Sequence, residues 1–256
     1  SDSSRRSSAT RSPTIRNIVI TGANRGIGLR LVKELLSKHD SIEHLFATTR
    51  DPAKATDLEA IGDRRLVVVP MDIESTHSVK RAATLVKNVT GSNGVDLLIN
   101  NAGVLIGTNL NAKVVEKKNM AMNFNVNCIG TLVVCQLFHG LVRAAAKKNG
   151  HAQVVNLSSL LGSLHLAPGS TEYGFTAYSM SKAGVNMLTH CLSLDWKDEK
   201  IRVTSLHPGH VNTELGGAHA PLTVDDVVPG IANIVMHLSE RHNGEFYDYQ
   251  FKKLEW

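Results

Sequence analysis

The chain has 256 residues, 42% of them hydrophobic and 20% charged, which are the proportions of a globular protein that can bury a substantial core. No uninterrupted apolar run approaches the length of a membrane span, so no membrane partner is predicted. The formal net charge is +5, but Arg5, Arg6, Arg11 and Arg16 crowd one end and the other cations are dispersed, so no nucleic-acid partner is predicted either.

The first segment, residues 1–14, is rich in Ser and Arg and nearly lacks apolar side chains. Such a segment buries too little apolar surface to offset its conformational entropy, so a disordered tail is predicted. Mitochondrial transit peptides are also rich in Ser and Arg, but Asp2 and the missing apolar face argue against that interpretation.

From residue 15 onward, short apolar runs alternate with longer amphipathic stretches, the pattern of repeated βα units. Buried strands are predicted at residues 18–21, 45–48, 66–70, 95–99, 154–157, 203–206 and 246–249. Helices are predicted at residues 26–38, 54–60, 75–89, 114–148, 177–197 and 225–239, with a mobile loop at 209–224. This order predicts an α/β fold, a doubly wound parallel sheet with helices on both faces. No repeat or linker interrupts it, so residues 15–256 are expected to form a single domain.

The loop at residues 21–28 joins the first predicted strand to the first helix, where a dinucleotide pyrophosphate would meet backbone N–H groups and the positive end of the helix dipole. Gly22 permits the tight turn, Gly26 lets the backbone approach phosphate, and Gly28 lets the helix lie close to the sheet. A glycine loop in this βαβ context predicts a dinucleotide site. The cofactor-binding residues expected in it are Gly22, Asn24, Arg25, Gly26, Ile27 and Gly28.

The end of the second strand predicts which dinucleotide binds. A ribose 2′-hydroxyl is usually held by an acidic residue at this point, whereas a 2′-phosphate requires a cation. Thr49 stands where the acid would be and Arg50 follows it, so NADP(H) is the predicted cofactor, with Arg25 and Asn24 assisting Arg50. The alternative for Arg50 is a solvated cation paired with Asp51.

Asp72 follows the third predicted strand and precedes a predicted helix. One interpretation is a hydrogen bond from the adenine edge of the dinucleotide to this side chain. The alternative is an N-cap of the helix that follows, a position that Asp favours.

Tyr178 and Lys182 are one helical turn apart in the helix predicted at residues 177–197. A phenol has an unperturbed pKa of about 10 and is a poor acid or base at neutral pH. A Lys182 ammonium beside the phenol oxygen would lower the pKa of Tyr178 toward the range where general acid–base catalysis is efficient. Together with a dinucleotide loop, the pair predicts redox chemistry on a carbonyl group.

Metal chemistry is not predicted, because the twelve histidines form neither an HExxH motif nor paired Cys/His spacings. Cys128, Cys135 and Cys191 lie in apolar helical segments, have no CxxC spacing and are odd in number. They are interpreted as buried, reduced thiols, which favours a cytoplasmic location.

The ordered motifs resemble those of the short-chain dehydrogenase/reductase family. They are the glycine loop, Asn100-Asn101-Ala102-Gly103, Asn127, Ser159, Tyr178 with Lys182, and Pro208-Gly209-His210-Val211-Asn212-Thr213. Within the family, residues 22–28, 47–51, 158–162, 215–217 and 222–224 look most like those of sniffer-type carbonyl reductases. The resemblance implies a single-domain Rossmann fold that binds NADP(H). It adds cofactor contacts from Asn101, Ala102, Gly103, Tyr178, Lys182, Pro208, Gly209, Val211 and Thr213.

The resemblance also implies four catalytic roles. Tyr178 protonates the carbonyl oxygen as hydride arrives from the nicotinamide, and Ser159 holds that oxygen by a hydrogen bond. Lys182 lowers the pKa of Tyr178 and binds the nicotinamide ribose. Asn127 anchors a water that links Lys182 to solvent.

Three alternatives to these roles remain open. Ser158 could be the working hydroxyl instead of Ser159. Asn127 could simply satisfy a local backbone carbonyl within its helix. Tyr173 is a second phenol nearby, interpreted as part of a pocket wall because no lysine lies one turn beyond it.

The expected function is reduction of an aldehyde, ketone or quinone by NADPH. The alternatives are an oxidative alcohol or steroid dehydrogenase, which Arg50 disfavours, and a non-catalytic NADPH-binding regulator, which has no need of all four catalytic residues. The interval from Ser159 to Tyr178 is longer than in the commonest members of the family, so residues 163–175 are expected to be a specificity-determining insertion. The expected pocket residues are Val104, Leu105, Leu160, Leu161, Phe175, His210 and Leu215.

A homodimer is also expected. Its interface could use Val133, Val134, Leu137, Met187 and Leu194, although these residues could equally belong to the core.

Overall fold

A computed structural model describes residues 14–108, 110–168 and 174–256. The predicted tail lies outside the described residues except for Thr14, which is exposed. Tyr173 and the middle of the predicted insertion also lie outside them.

Seven parallel strands form one sheet in the order β3-β2-β1-β4-β5-β6-β7. They are β1 Asn17–Ile20, β2 His44–Thr49, β3 Leu66–Pro70, β4 Leu97–Asn100, β5 Ala152–Leu157, β6 Ile201–His207 and β7 Phe246–Asp248. Because β1 pairs with both β2 and β4, the strand order reverses between β1 and β4. In open α/β sheets a ligand crevice forms at this switch point, outside the carboxyl ends of the strands.

Helices cover both faces of the sheet. They are α1 Gly26–Lys38, α2 Thr56–Glu59, α3 Thr76–Thr90, α4 Lys117–Phe124, α5 Thr131–Asn149, α6 Thr176–Asp195 and α7 Val224–His237. Ile18 and Ile20 of β1 pack into a core with α1, α2 and α7, whereas Val19 packs into a second core with α3, α5 and the end of α6. This alternation is that of a strand buried on both faces. The predicted doubly wound α/β fold is confirmed.

The helix predicted at residues 114–148 differs from the observed element. It begins at Lys117, after the extended backbone of Glu116, and is interrupted by the π-helical turn Asn125–Gly130 between α4 and α5. Residues 209–224 were expected to be a mobile loop. They form turns joined by a parallel bridge between Val211 and Leu222, and their mobility stays a prediction.

The helical run Lys117–Asn149 has the length and apolar composition of a membrane span, with a mean hydropathy of 1.5 in its most apolar window. Val134, Phe138 and Val142 of this run are buried in the core shared with α3 and the sheet. Packing between a sheet and a neighbouring helix therefore accounts for this apolar composition.

The prediction of three buried thiols is wrong for Cys191. Cys135 is buried and Cys128 is half-buried, but Cys191 is exposed on the outer face of α6, and all three thiols are free. Met187 and Leu194, which are four and three residues away on the same helix, are also exposed. An apolar pattern alone did not distinguish this outer face from the core.

Candidate active site

The predicted site residues meet at the carboxyl edge of the sheet. The glycine loop follows β1, Arg50 follows β2, Asp72 follows β3, residues 101–103 follow β4, Ser159 follows β5 and Pro208 follows β6. Parallel strands end at the same edge, so six sequence-distant segments surround the crevice at the switch point.

The glycine loop has the geometry of an anion site. Gly22 and Gly26 have positive φ angles of 62° and 54°. A Cβ on Gly28 would lie 2.6 Å from Asn101 Nδ2 and 2.6 Å from the Gly22 carbonyl oxygen, so only glycine fits there. Arg25 precedes α1 in extended conformation without a side-chain cap, and the first turn holds no acidic residue. The first N–H groups of α1 are thus available to a phosphate, and the loop fits a dinucleotide.

Asn101 ties the segment after β4 to this loop. Its Nδ2 donates to the carbonyls of Thr21 and Gly22, at 2.9 Å each, while the Thr21 hydroxyl accepts from the N–H groups of Asn101 and Ala102. Asn101 therefore shapes the loop, since both of its amide protons are used. Gly103 lies deeper in the site, where a Cβ would be 3.6 Å from Lys182 Nζ.

Arg50 is exposed at the end of β2, and Asp51 forms its ion pair with Lys54, with Nζ and Oδ2 3.2 Å apart. No acidic side chain among the described residues pairs with Arg50, so the alternative of an Arg50–Asp51 pair is wrong. Arg25, in contrast, forms an ion pair, because its guanidinium lies 2.7 Å from the Glu214 carboxylate. Contact between Arg50 and a 2′-phosphate stays a prediction.

Asp72 does not cap the following helix. Ser75 is the N-cap of α3 and accepts from the N–H of Ser78 at 3.2 Å. The Asp72 carboxylate instead accepts from the N–H of Glu74 at 3.0 Å. The capping alternative is wrong, and contact with adenine stays a prediction.

Ser159 and Tyr178 are buried together beside Lys182, each less than a tenth exposed. Burial raises the pKa of Tyr178 to about 12, an effect that the nearby Ser159 hydroxyl only partly offsets. The Lys182 ammonium donates to the Leu157 carbonyl at 2.8 Å and lies 5.7 Å from the centre of the Tyr178 ring. Burial lowers the pKa of Lys182 to about 8. The prediction of a lowered Tyr178 pKa is therefore wrong, and at neutral pH Tyr178 is a neutral proton donor next to an ammonium.

The Ser158 hydroxyl is already used in a main-chain contact. It donates to the main-chain carbonyl of Lys182, 3.4 Å away. Ser159 starts a tight turn, residues 159–163, in which its Oγ accepts from the N–H of Leu161 at 3.2 Å. This geometry favours Ser159 over Ser158 as the working hydroxyl.

Asn127 lies in the π-helical turn, and its side chain makes long-range contacts. Its Oδ1 accepts from the N–H of Val104 and its Nδ2 donates to the Val104 carbonyl, both at 2.8 Å, and Nδ2 also donates to Ser181 Oγ. The alternative of a purely local backbone contact is wrong. Anchoring of a water stays a prediction, and π turns inside helices are frequent at functional sites.

The segment after β6 packs against the glycine loop. Gly209 has a φ of 88°, and a Cβ on Gly26 would be 3.4 Å from Thr213 Cγ2. His210 is exposed, and its Nε2–H donates to the Gly216 carbonyl at 2.9 Å.

Of the expected pocket residues, His210 and Leu215 are exposed, whereas Val104, Leu105, Leu160, Leu161 and Phe175 are half-buried.

The family model described as short chain dehydrogenase matches residues 16–221. The chain belongs to this family. It is therefore an oxidoreductase, and the predicted family resemblance is confirmed.

Two solved structures of the short-chain dehydrogenase fold are similar over almost the whole chain. Carbonyl reductase Sniffer of D. melanogaster is 31% identical with a TM-score of 0.88, covering 94% of this chain and 100% of that one. An NADPH-bound carbonyl reductase from chicken fatty liver is 34% identical with a TM-score of 0.89, covering 94% and 99%. An uncharacterised oxidoreductase of Schizosaccharomyces pombe is 31% identical over 251 residues, 90% of this chain and 94% of that protein.

Sequence reasoning missed two contacts in this short-chain dehydrogenase site. Asn123 holds the backbone of Ile106 through its amide, accepting at 3.3 Å and donating at 2.9 Å, as Asn127 holds Val104. The spacing of four residues between Asn123 and Asn127 was the available signal. The Arg25–Glu214 pair had no signal, because it joins segments that only the fold brings together.

Proposed function

We propose that the protein is an NADPH-dependent carbonyl reductase that converts an aldehyde, ketone or quinone to an alcohol. The observation that carries this proposal is the burial of Ser159 and Tyr178 together beside Lys182, at the crevice bordered by the glycine loop. Similarity to an NADPH-bound carbonyl reductase over 94% of the chain supports it.

NADP(H) is the cofactor, and bound NADPH supplies the hydride. The uncapped first turn of α1 would hold the pyrophosphate, and Arg50 would hold the 2′-phosphate. Lys182 and the small Gly103 would border the nicotinamide ribose. Similarity to a solved carbonyl reductase with bound NADPH supports this assignment.

Ser159 and Tyr178 would both donate hydrogen bonds to the substrate carbonyl oxygen. As that oxygen gains negative charge, both bonds strengthen, and the Tyr178 proton transfers to it. The nearby Lys182 ammonium stabilises the resulting phenolate, an effect that burial strengthens because the local dielectric constant is low. We assign Asn127 the role of anchoring a water through which Tyr178 regains its proton by way of Lys182.

The proposed direction is reduction, because cells hold NADP(H) mainly in its reduced form. The half-buried apolar side chains near the crevice fit an apolar substrate of modest size. We also propose that the reaction occurs in the cytoplasm, which subcellular fractionation would test.

A substrate panel tests the proposed function. Aldehydes, diketones and quinones are each incubated with protein and NADPH, and the loss of NADPH absorbance is followed. Turnover with at least one apolar carbonyl compound is expected. If NADPH binds but no member of the panel is reduced, the proposal fails.

The pH dependence of activity should follow the proton on Lys182. Its pKa of about 8 means that the ammonium is present below pH 8 and is lost above it, whereas Tyr178 with a pKa of about 12 stays protonated throughout. We expect kcat/KM for NADPH, which reports the free enzyme, to be level below pH 8 and to fall about tenfold per pH unit above it. Any activity left in Lys182→Arg should lack this falling limb, because arginine keeps its proton. A wild-type profile level to pH 10 would contradict the assignment.

We propose a homodimer formed through the outer face of α6. Met180, Met187 and Leu194 recur there at seven-residue intervals and are 48%, 61% and 61% exposed. Val134, an expected interface residue, is 1% exposed and belongs to the core, while Val133 and Leu137 pack partly against that core. An exposed apolar stripe of this kind marks a contact surface.

Light scattering of the wild type should give about twice the monomer mass of 27.8 kDa. Met187→Asp should give the monomer mass, because a carboxylate would be buried in the interface. Leu85→Asp is the control, since Leu85 is an exposed residue of α3, 46% accessible and outside the α6 face. A monomeric wild type at every concentration would refute the dimer.

A further inference from the structure

A line of buried polar side chains crosses the centre of the sheet and ends at the turn that carries Ser159. We call it the buried hydrogen-bond chain. Its members are Asn100 of β4, Asn156 of β5, Thr189 of α6, Ser205 of β6 and Asn186 of α6. None is more than 5% exposed. Buried polar groups destabilise a core unless their hydrogen bonds are made, so an unbroken series through this position requires a physical reason.

The contacts are continuous from one end to the other. Asn100 Nδ2 donates to Asn156 Oδ1 at 2.8 Å, and Asn156 Nδ2 donates to Thr189 Oγ1 at 2.9 Å. Thr189 Oγ1 lies 2.9 Å from Ser205 Oγ, which donates to Asn186 Oδ1 at 3.1 Å. Asn186 Nδ2 then donates to the main-chain carbonyl of Gly162 at 3.1 Å.

The Gly162 carbonyl fixes the orientation of the Asn186 amide. A carbonyl only accepts, so the Asn186 amide must present its nitrogen to Gly162 and its oxygen to Ser205. Ser205 donates its one proton to Asn186, and Thr189 donates to the Val185 carbonyl at 3.0 Å. The bonds from Ser205 through Asn186 to Gly162 therefore point in one direction. Bonds aligned in one direction polarise one another, so Asn186 holds the Gly162 carbonyl more firmly than an isolated amide would.

Gly162 belongs to the Ser159 turn, residues 159–163. Its N–H donates to the Ser159 carbonyl at 2.9 Å, which closes the turn. A Cβ on Gly162 would lie 2.6 Å from the main-chain carbon of Lys182, so the turn rests directly on the part of α6 that follows Tyr178. The position of Gly162 on α6 thus sets the position of the Ser159 hydroxyl relative to the Tyr178 hydroxyl.

We propose that Asn186 is a positioning residue, which holds the Ser159 turn on α6 so that Ser159 and Tyr178 can donate hydrogen bonds to the same substrate oxygen. It acts through Gly162 and does not touch the reacting atoms. The proposal rests on the carbonyl reduction proposed above and adds a residue to it.

Asn186→Ala and the nearly isosteric Asn186→Leu both remove the donor to Gly162. Each should lower kcat by about 10- to 100-fold, because a small displacement of a catalytic group is enough for such a loss. The dissociation constant for NADPH, measured by fluorescence, should stay within about twofold, since the glycine loop is untouched. Ser193→Ala is the matched control. Ser193 is a buried residue of the same helix, but its hydroxyl donates to the His190 carbonyl and takes no part in the buried hydrogen-bond chain. It should leave both constants unchanged.

Two readouts separate positioning from general stability. In a Ser159→Ala background, Asn186→Ala should lower kcat by no more than about twofold, because its effect passes through Ser159. Amide hydrogen exchange of residues 158–163 should be faster in both Asn186 variants than in wild type or Ser193→Ala. Wild-type kcat in either variant, an equal loss without Ser159, or unchanged exchange would each overturn the proposal. The exchange measurement needs no substrate. If the wild type had no reductase activity, the proposed function would be refuted, but the exchange rates would still show whether Asn186 holds the Ser159 turn.

Discussion

Tyr178→Phe should bind NADPH normally and lose nearly all turnover, a fall in kcat of about 10²- to 10⁴-fold, the range typical of a lost general acid. The substitution removes one oxygen atom and keeps the aromatic ring in a site where Tyr178 is only 7% exposed. It removes the proposed proton donor and leaves the neighbouring Ser159 hydroxyl in place. Steady-state loss of NADPH absorbance measures kcat, and fluorescence titration measures cofactor binding.

Tyr247→Phe is the matched control for this experiment. Tyr247 is 8% exposed and is also a phenol whose pKa is raised by burial, but it lies in β7, which β6 separates from the strand that precedes Ser159. Its substitution should leave kcat within about twofold of wild type. If Tyr178→Phe also kept wild-type turnover, Tyr178 would not be the proton donor.

The parts of this site that could be predicted from sequence depend on local patterns. Buried parallel strands are short apolar runs, so the strands that carry the loops were located to within a few residues. The glycine spacing of residues 22–28 identifies an anion loop because its backbone demands are local. Thr49 and Arg50 predict a 2′-phosphate contact from equally local information, since both belong to one strand end.

The parts that could not be predicted depend on backbone detail or on the assembled fold. The π turn around Asn127 has no residue pattern that distinguishes it from the α-helices on either side. Val134 faces the core although it belongs to an apolar helix that could have presented either face. Asn186 is a polar residue on the buried face of α6, which is a signal, but its partner Gly162 is 24 residues away and is identified only by the fold.

Arg50→Asp should shift the cofactor preference from NADPH toward NADH. The arginine is exposed at the end of β2, and its removal deletes a charge-assisted bond to the 2′-phosphate. The new carboxylate repels that phosphate and can accept from the 2′-hydroxyl of NADH. Arg25 cannot fully replace Arg50, because its guanidinium is paired with Glu214. We expect the ratio of kcat/KM for NADPH to that for NADH to fall by about 10²-fold or more.

Arg64→Asp is the charge-matched control, since Arg64 is also exposed but precedes β3 at the opposite edge of the sheet. It changes the net charge equally, so a general electrostatic effect on an anionic cofactor would appear in both variants, whereas a 2′-phosphate contact changes the ratio only in Arg50→Asp. The ratio also cancels effects on folding and on the amount of active protein, because both cofactors are measured with one preparation. An unchanged ratio in Arg50→Asp would remove Arg50 from the cofactor site and leave the dinucleotide loop assignment intact, because that assignment depends on the loop geometry at Gly22, Gly26 and Gly28.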